Sequence, residues 1–324
     1  MSSQNKFFQD VVSLENLFLA WEEFIKEKKK KKDVMEFSVH LSENIFNLHQ
    51  DLKNKTYIHG LYHAFNISDP KPRNIHKATV RDRLLHHAIY RILYPYFDKK
   101  FIYDSYSCRK WKGTHRAIYR FDYFARKASQ NNTKTLWVLK CDVRKFFASI
   151  DQKRLLQILG LYDLDRNTLW LLERVVRSFD VKEGKGLPLG NLTSQLLVNI
   201  YMDWFDQYMK HRLKVKYYIR YADDFVVMSQ DKKYLEDLLV QIKFFLGDNL
   251  LLELHPDKVS IKTFSSGVDF LGWIHFPKHR VLRTSTKRRM VKNLKNNQSK
   301  ETTQSYLGLL SHGNTYKLKQ NLEI

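Results

Sequence analysis

The sequence predicts an α+β fold in which a mixed sheet with inserted helices is flanked by helical lobes. Short runs of aromatic and β-branched residues, typical of strands, alternate with segments whose apolar residues recur at helical spacing. The helical segments dominate both ends of the chain, and the strands gather at its centre. A chain of 324 residues can bury a sizeable core and form two or three lobes.

Helical periodicity is clear in the N-terminal part of the chain. It predicts one helix at residues 14–25, a second near 34–52 and a third at 80–97. A proline-containing loop at 70–73 precedes the third helix. The lysine run at 28–32 is either a solvated, flexible tract or a contact to phosphate groups.

A short apolar strand and a capped helix follow at the centre. The strand at 136–139 is expected to deliver Asp142 at its end. Asp151 is a good N-cap for a helix that ends at Gly160, which makes Asp151 a structural residue. Asp142 is therefore a candidate functional residue, whereas Asp151 is a structural one.

Two more helices are predicted after a glycine- and proline-containing turn at 186–190. Asn191 begins the first of them, which reaches about Lys210. The second spans roughly 231–246 and is expected to stop at Gly247.

Three further strands are predicted at 250–254, 259–263 and 268–276. The remaining segment, 278–324, contains 11 Lys and Arg against 2 Asp and Glu. This composition indicates a basic appendage at the end of the chain.

The composition points to a polyanionic partner. The net charge of +22 and the pI of about 9.7 suit nucleic acid or, alternatively, an anionic membrane surface. No apolar run approaches the ~18 residues of a membrane span, and residues 1–12 lack a signal-peptide core. We therefore expect a soluble intracellular protein with no membrane partner. The two cysteines, Cys108 and Cys141, exclude a zinc knuckle or a disulfide framework.

Asp223 and Asp224 form the most informative pair in the chain. Residues 217–220 and 225–228 are both strand-like, so the two acids lie at the bend of a predicted hairpin. Such acids can be ordinary turn residues, but they also repel each other, and a divalent cation is the simplest partner. Asp142 supplies a third carboxylate at another strand end. Nucleotidyl transfer by two metal ions, about 3.5–4 Å apart, needs such a set of ligands.

Six ordered motifs resemble those of reverse transcriptases. Asp142-Val143-Arg144-Lys145-Phe146-Phe147 resembles the first carboxylate motif of that family, and Tyr221-Ala222-Asp223-Asp224 resembles the second. The other matches are the fingers–palm junction at 105–109 and 114–118, the nucleotide-pocket loop at 186–195, the lysine motif at 254–258 and the primer-grip motif at 270–273. The resemblance covers roughly residues 71–314, which is most of the chain.

The resemblance implies a right-hand polymerase fold. Its parts would be helical fingers at 1–135, a mixed-sheet palm carrying the catalytic carboxylates at 136–276, and a short, helical, basic thumb at 277–324. It also implies that the protein is a nucleotidyltransferase, an RNA-directed DNA polymerase. Such an enzyme uses two Mg²⁺ ions, for which Mn²⁺ can substitute, with template RNA, a DNA or RNA primer and dNTPs.

The resemblance further implies roles for individual residues. The implied catalytic and metal-binding residues are Asp142, Asp223 and Asp224, with the Val143 carbonyl assisting at the metals. The implied nucleotide-binding residues are Lys71, Arg73, Phe147, Leu189, Gly190, Gln195 and Lys258. The implied primer grip is Leu271, Gly272 and Trp273. Phe147 corresponds to the steric gate against a ribose 2′-hydroxyl, and Lys71 and Arg73 to the fingers residues that grip triphosphate oxygens.

Each of these roles has a simpler structural alternative. Phe147 can be a core aromatic residue, and Lys71 and Arg73 can be ordinary surface charges. Lys258 either protonates the pyrophosphate leaving group or pairs with a carboxylate. The primer-grip residues can be ordinary strand packing, with a glycine where the duplex backbone comes close.

The pocket loop narrows the subfamily. Most reverse transcriptases have Gln before the glycine of this loop and Pro after its serine, whereas this chain has Leu189 and Gln195. This form resembles the enzymes of diversity-generating retroelements, which implies error-prone cDNA synthesis, mainly opposite template adenines, from a template-repeat RNA. It also implies a small, basic, oligomeric accessory protein and a bacterial or phage-encoded cytoplasmic enzyme. The alternatives are a group II intron-like or phage-defence reverse transcriptase and, in another class, a catalytically idle RNA-binding scaffold.

Overall fold

The computed structural model describes residues 7–68, 72–296 and 299–320. The chain packs into two compact units. The first combines Met1–Ile102, Arg144–Tyr208 and Phe245–Glu253, and the second combines Tyr103–Val143, Met209–Phe244 and Leu254–Ile324. Because the units are interleaved along the chain, they do not test the three consecutive lobes expected from the sequence. Among the helices of the described ranges, none combines the length and apolar character that a membrane crossing requires.

Helices and strands alternate along the described chain. The helices are α1 (Phe7–Val12), α2 (Leu14–Phe24), α3 (Lys32–Val39), α4 (Leu41–Lys53), α5 (Val80–Asp98), α6 (Thr114–Ala128), α7 (Phe146–Ser149), α8 (Gln152–Leu159), α9 (Arg166–Val176), α10 (Leu192–Gln207), α11 (Lys232–Leu250), α12 (Thr284–Asn296), α13 (Lys300–Leu310) and α14 (Tyr316–Gln320). The strands are β1 (His63–Ile67), β2 (Arg73–Lys77), β3 (Trp137–Asp142), β4 (Tyr218–Tyr221), β5 (Asp224–Ser229), β6 (Ser260–Thr263), β7 (Val268–Phe270), β8 (Trp273–His275) and β9 (Arg280–Leu282).

The helices α2 and α5 pack together at the centre of the first unit. Leu17 on α2 and Leu85 on α5 are fully buried, and both helices agree with the first and third helices predicted from the sequence. The single helix predicted near 34–52 is wrong. His40, at φ −114° and ψ 39°, leaves the helical region and separates α3 from α4. No glycine or proline marks this break in the sequence.

Helix ends were predicted with mixed success. Asp151 caps α8 as predicted, because its side chain accepts a hydrogen bond from the Arg154 amide. The expected stop at Gly247 is wrong, since α11 continues through it to Leu250. The helix ends only where Leu251 turns left-handed, at φ 52°. The strand predicted at 250–254 is therefore also wrong, and this segment contributes only an isolated bridge to the sheet.

The second unit contains a four-stranded sheet in the order β4-β5-β3-β6. The α+β class is confirmed, and so is the mixed sheet: the ladders between the named strands are antiparallel, and Ser105 forms a parallel bridge with Arg220 of β4. The tight turn between β4 and β5 reverses the chain.

A second, three-stranded antiparallel sheet has the order β7-β8-β9. The single strand predicted at 268–276 is wrong, because a two-residue turn divides it into β7 and β8. Leu271 and Gly272 form this turn, with φ values of 50° and 87°. Positive φ at both turn residues matches the right-handed twist of the flanking strands.

The helix α6 covers one face of the four-stranded sheet. Its apolar residues Phe121 and Ala125 join Val138 of β3 and Val226 of β5 in one buried cluster. Because these residues come from distant parts of the chain, the cluster fixes the position of α6 on the strands that carry the predicted carboxylates.

Phe121→Ala is expected to lower the free energy of unfolding by about 3–5 kcal/mol, because the fully buried ring packs on Phe264 and Phe270 and its removal leaves a cavity. Chemical denaturation followed by tryptophan fluorescence measures the change. The matched control is Phe244→Ala on α11, where the residue is 66% exposed and the loss should stay below about 0.5 kcal/mol. Equal losses in the two variants would contradict this core.

Candidate active site

Two of the predicted carboxylates lie opposite each other on neighbouring strands of the four-stranded sheet. The register pairs Asp142, the last residue of β3, with Asp224, the first residue of β5. Directly opposed residues of an antiparallel ladder have Cα atoms about 4.5–5.5 Å apart, so their charges interact strongly. Side chains alternate along a strand, which places Lys140 on the same face as Asp142.

The third carboxylate enters from the turn between β4 and β5. Ala222 and Asp223 form this turn, and Ala222 has a left-handed φ of 55°. A residue with a Cβ loses about 1–2 kcal/mol in this conformation. The Asp223 carbonyl accepts a hydrogen bond of 3.1 Å from the Val143 amide, which ties the turn to the residue after Asp142. The backbone of the predicted metal-binding residues is thus gathered at one end of the sheet.

A buried arginine supports this turn. Arg220 is fully buried, and its guanidinium donates to the Ala222 carbonyl and to Ser105 Oγ, each at 3.1 Å. Its backbone pairs with Asp104 and Tyr106 on the neighbouring segment. Arg220 was missed from the sequence, although a single arginine inside an apolar strand is a signal for a buried polar contact.

Two lysines neutralise the facing carboxylates. Lys258 Nζ lies 2.7 Å from Asp142 Oδ1, and Lys140 Nζ lies 3.5 Å from Asp224 Oδ2. Of the two roles considered for Lys258, this arrangement contains the pairing with a carboxylate. Lys140 was missed from the sequence, where its position two residues before Asp142 on a strand was the available signal.

The surroundings of Asp224 disfavour its ionised form. Burial raises the pKa of Asp224 to about 7; Lys140 opposes the rise, and the charges of Asp142, Asp223 and Asp269 add to it. Its Oδ1 atom is buried and has no hydrogen-bond partner among the described residues. A bound cation stabilises the ionised form of a buried carboxylate that has acidic neighbours and an oxygen without a hydrogen-bond partner.

The side chains do not form a complete metal site in this arrangement. Across residues 7–68, 72–296 and 299–320, no group of three or more His, Cys, Asp or Glu side chains could hold a metal ion. The donors nevertheless have the chemistry that Mg²⁺ prefers, because that ion takes one or two carboxylates and completes its shell with water and phosphate oxygens. Here Lys258 and Lys140 contact the oxygens that such an ion would take.

The predicted nucleotide-pocket loop lies in the first unit, against the hairpin of β1 and β2. The His76 amide donates to the Leu189 carbonyl at 3.1 Å, and Asn191 Nδ2 donates to the His76 carbonyl at 3.0 Å. Gly190 has a φ of 101°, and a Cβ there would lie 2.9 Å from Ile75 Cγ2. Glycine is therefore required by both backbone and space. The hairpin was missed from the sequence, because its strands are polar and mostly exposed.

Other predicted nucleotide-binding residues lie in the same unit. Arg73 is exposed at the start of β2. Phe147 is half-buried on α7, and its carbonyl accepts a 2.9 Å hydrogen bond from the Leu187 amide of the pocket loop. Gln195 is half-buried in the first turn of α10. Lys71 lies outside the described residues.

A buried polar network supports the pocket loop. Asp82 accepts a 3.1 Å hydrogen bond from the Gly60 amide. His59 Nδ1 donates to the Gly60 carbonyl at 2.7 Å, so His59 Nε2 is left to accept from His86 Nε2 at 3.3 Å. Burial lowers the pKa of His86 to about 3, and the Asn191 side chain lies beside it. The buried His86 therefore connects α5 to the loop that contains Leu189.

The predicted primer-grip residues have two different environments. Leu271 and Gly272 form the turn between β7 and β8, where the left-handed φ of Leu271 is a strained conformation for a residue with a side chain. Trp273 is buried in a cluster with Met290 and Leu310. Its side chain supports the turn from the core and is not presented to a ligand.

Comparisons with known proteins agree with these motifs. The profile of the family described as Reverse transcriptase (RNA-dependent DNA polymerase) matches residues 67–275. Protein YkfC of Escherichia coli (strain K12) is 25% identical over 254 residues, covering 67% of this chain and 65% of that protein. Group II intron-encoded protein LtrA of Lactococcus lactis subsp. cremoris is 23% identical over 305 residues, covering 71% of this chain and 49% of that protein.

A solved structure shows the same fold. It is a telomerase from Candida albicans in complex with the TWJ fragment of telomeric RNA, and it matches 70% of this chain and 46% of its own with a TM-score of 0.51 and 14% identity. At this identity the likeness bears on the right-hand polymerase fold alone. The chain spans 49–65% of the length of the two curated relatives. Because the family profile covers more than half of the sequence, the chain belongs to the reverse transcriptase (RNA-dependent DNA polymerase) family.

Proposed function

We propose that the protein is an RNA-directed DNA polymerase that extends a primer with deoxynucleotides by nucleotidyl transfer. The observation that carries this proposal is the pairing of Asp142 with Asp224, with Asp223 in the adjoining turn, in a chain of the reverse transcriptase family. Carboxylates concentrated at one end of a sheet suit divalent cations and the phosphates bound to them. A catalytically idle RNA-binding scaffold has no use for negative charge at this position.

The proposed cofactor is a pair of Mg²⁺ ions, for which Mn²⁺ can substitute. The proposed ligands are Asp142, Asp223, Asp224 and the Val143 carbonyl. When bound, such ions stabilise the attacking 3′-oxygen and the leaving pyrophosphate oxygen. Lys258 and Lys140 would give up their carboxylate contacts to such ions, and Lys258 Nζ would then be available to donate a proton to the leaving pyrophosphate oxygen.

The remaining site residues are proposed to bind the nucleotide and the primer. Those for the nucleotide are Lys71, Arg73, Phe147, Leu189, Gly190, Gln195 and Lys258. Leu271 and Gly272 position the primer end, and Trp273 supports their turn. The proposed fingers, palm and thumb comprise residues 1–135, 136–276 and 277–324.

The proposed biological role is that of a diversity-generating retroelement enzyme, which copies a template-repeat RNA into adenine-mutagenised cDNA. Leu189 supports this role, because leucine cannot form the hydrogen bond that glutamine can form near the nascent base pair. The proposed partners are the template RNA, a DNA or RNA primer and a small, basic, oligomeric accessory protein. The proposed location is the cytoplasm of a bacterium, with the gene bacterial or phage-encoded.

A group II intron-like or phage-defence reverse transcriptase is the second candidate. It is favoured by the similarity to the group II intron-encoded protein LtrA. The DNA that flanks the gene distinguishes the candidates. A pair of near-duplicate repeats that differ at adenines, beside an accessory gene, belongs to the retroelement, whereas flanking intron sequence belongs to the intron enzyme.

Asp223→Asn is expected to reduce primer extension on an RNA template by more than about 100-fold, because the site loses a charge that binds the ions. Incorporation of labelled dNTPs at saturating Mg²⁺ measures the loss. Asp237→Asn, at an exposed acid on α11, is the matched control and should retain activity. A wild-type protein that binds RNA but extends no primer would support the idle scaffold instead.

Asp224→Asn is expected to stabilise the metal-free protein at neutral and higher pH. The pKa of Asp224 is about 7 in the fold against an ordinary value of 3.8, so the fold favours the protonated acid. The wild type therefore loses stability as the pH rises from about 4 to about 7, and the variant does not. The difference should approach about 2–4 kcal/mol above pH 7 and vanish below about pH 4. Denaturation curves across this range test it, and a difference independent of pH contradicts it.

Leu189→Gln is expected to reduce misincorporation opposite template adenine by about 5- to 100-fold, because a polar group near the nascent pair restores discrimination worth about 1–3 kcal/mol. Sequencing of cDNA made from a defined RNA template measures the error spectrum. Leu189→Met, which adds no hydrogen-bonding group of comparable strength, is the control and should keep the wild-type spectrum. An unchanged spectrum in the glutamine variant counts against the role of Leu189.

A further inference from the structure

We propose that the second unit contains a site for single-stranded RNA outside the active site. The site is a cavity of about 640 Å³, called here the α6 cleft. It is bounded by α6, by the turn between β8 and β9, and by residues 312–314 after α13. This inference rests on the proposed function, since the RNA is the template strand or RNA continuous with it.

The α6 cleft lies at the opposite end of the three-stranded sheet from the primer-grip turn. Leu271 and Gly272 join β7 to β8 at one end, and the turn from Phe276 to His279 joins β8 to β9 at the other. The length of β8, roughly 10 Å at about 3.3 Å per residue, separates the two turns. RNA in the cleft is therefore distinct from a primer end at Leu271.

Three aromatic rings of the α6 cleft, Tyr119, Tyr123 and His279, are exposed, and Phe276 is half-buried. Tyr119 and Tyr123 lie one helical turn apart on α6 and are 52% and 49% exposed. Phe276 and His279 stack on each other, with ring centroids 4.9 Å apart and planes 16° apart. Exposed ring faces are the surfaces on which unpaired bases stack, and a double helix hides the base faces that would use them.

Cations accompany these rings. Arg126 and Lys278 line the cleft, and both are exposed. Lys127 is also exposed, and its Nζ lies 5.9 Å from the centroid of the Tyr123 ring. Basic side chains interleaved with aromatic rings contact the phosphates between stacked bases.

The single acid of α6 does not oppose this charge, because it is already paired. Asp122 forms an ion pair with Arg280 and a hydrogen bond with His275 Nδ1. Arg280 also donates to the His312 carbonyl and lies over the Tyr119 ring at 5.1 Å. These contacts attach both the β8–β9 turn and the end of α13 to α6, so the walls of the cleft are fixed.

The charge of the chain identifies RNA as the occupant. With a net charge of +22, the protein attracts polyanions. Single-stranded RNA supplies both the flat bases that Tyr119 and Tyr123 can stack and the phosphates that Arg126 and Lys278 can bind. The primer supplies the same groups, but its end is proposed to lie at Leu271 and Gly272, at the other end of β8.

The test measures the affinity of a fluorescent single-stranded RNA oligonucleotide without dNTPs, so that it does not depend on catalysis. Tyr123→Ala is expected to weaken binding about 5- to 100-fold, the effect of one lost stacking platform. Tyr123→Phe keeps the ring and should bind like the wild type. Arg126→Ala should lower the salt dependence of binding by about one charge. Tyr234→Ala, at a 40% exposed tyrosine on α11, is the matched control and should leave the affinity unchanged.

Separate outcomes distinguish this site from the polymerase itself. Equal RNA affinity of the wild type and Tyr123→Ala overturns the proposal, as does an equal loss in Tyr123→Phe. A Tyr123→Ala protein that loses affinity for an accessory protein but not for RNA overturns it in favour of a protein site. Primer extension on a short, pre-annealed template should be unchanged in Tyr123→Ala. If the wild type extends no primer but its RNA affinity depends on Tyr123, the proposed activity is wrong and the α6 cleft stands.

Discussion

The placement of Asp142 against the buried Asp224 is the constraint on which the candidate site depends. The antiparallel register pairs the two residues, and burial of Asp224, to which the charge of Asp142 adds, disfavours its ionised form. Lys258 and Lys140 provide the opposite charge. Their side chains differ in exposure, at 44% for Lys258 and 17% for Lys140, so solvent screens the Lys258 contact more strongly. A cation can therefore replace the lysine contact more easily at Asp142 than at Asp224.

Two tight turns contain residues in strained, left-handed backbone conformations. Ala222 and Leu271 are both left-handed, and both lie in tight turns at strand ends. Such strain persists only where surrounding contacts determine the conformation. For Ala222 the determining contact is the buried Arg220 guanidinium on its carbonyl, together with the hydrogen bond from the Val143 amide to the next residue. These two contacts hold Asp223 in a fixed position.

Local patterns in the sequence predicted those parts of the molecule that local interactions decide. The hairpin around Asp223, the strand ending at Asp142 and the cap at Asp151 all follow from neighbours within a few residues. The pairing of Lys258 with Asp142 joins residues 116 positions apart, and no local pattern contains it. The break at His40 and the pKa of Asp224 likewise depend on tertiary packing, which propensity and spacing do not describe.

The contacts that hold the predicted pocket loop in place do not involve the Leu189 side chain. It is joined to β2 through backbone atoms, because the Leu189 carbonyl accepts from the His76 amide, and through the Asn191 side chain. Gly190 is fixed by its left-handed backbone and by the nearby Ile75. The Leu189 side chain takes no part in these contacts, so a different residue at this position keeps the same loop. Side-chain polarity at position 189 can therefore change without loss of these contacts, which is why substitution of Leu189 is a clean test of its proposed effect on selectivity.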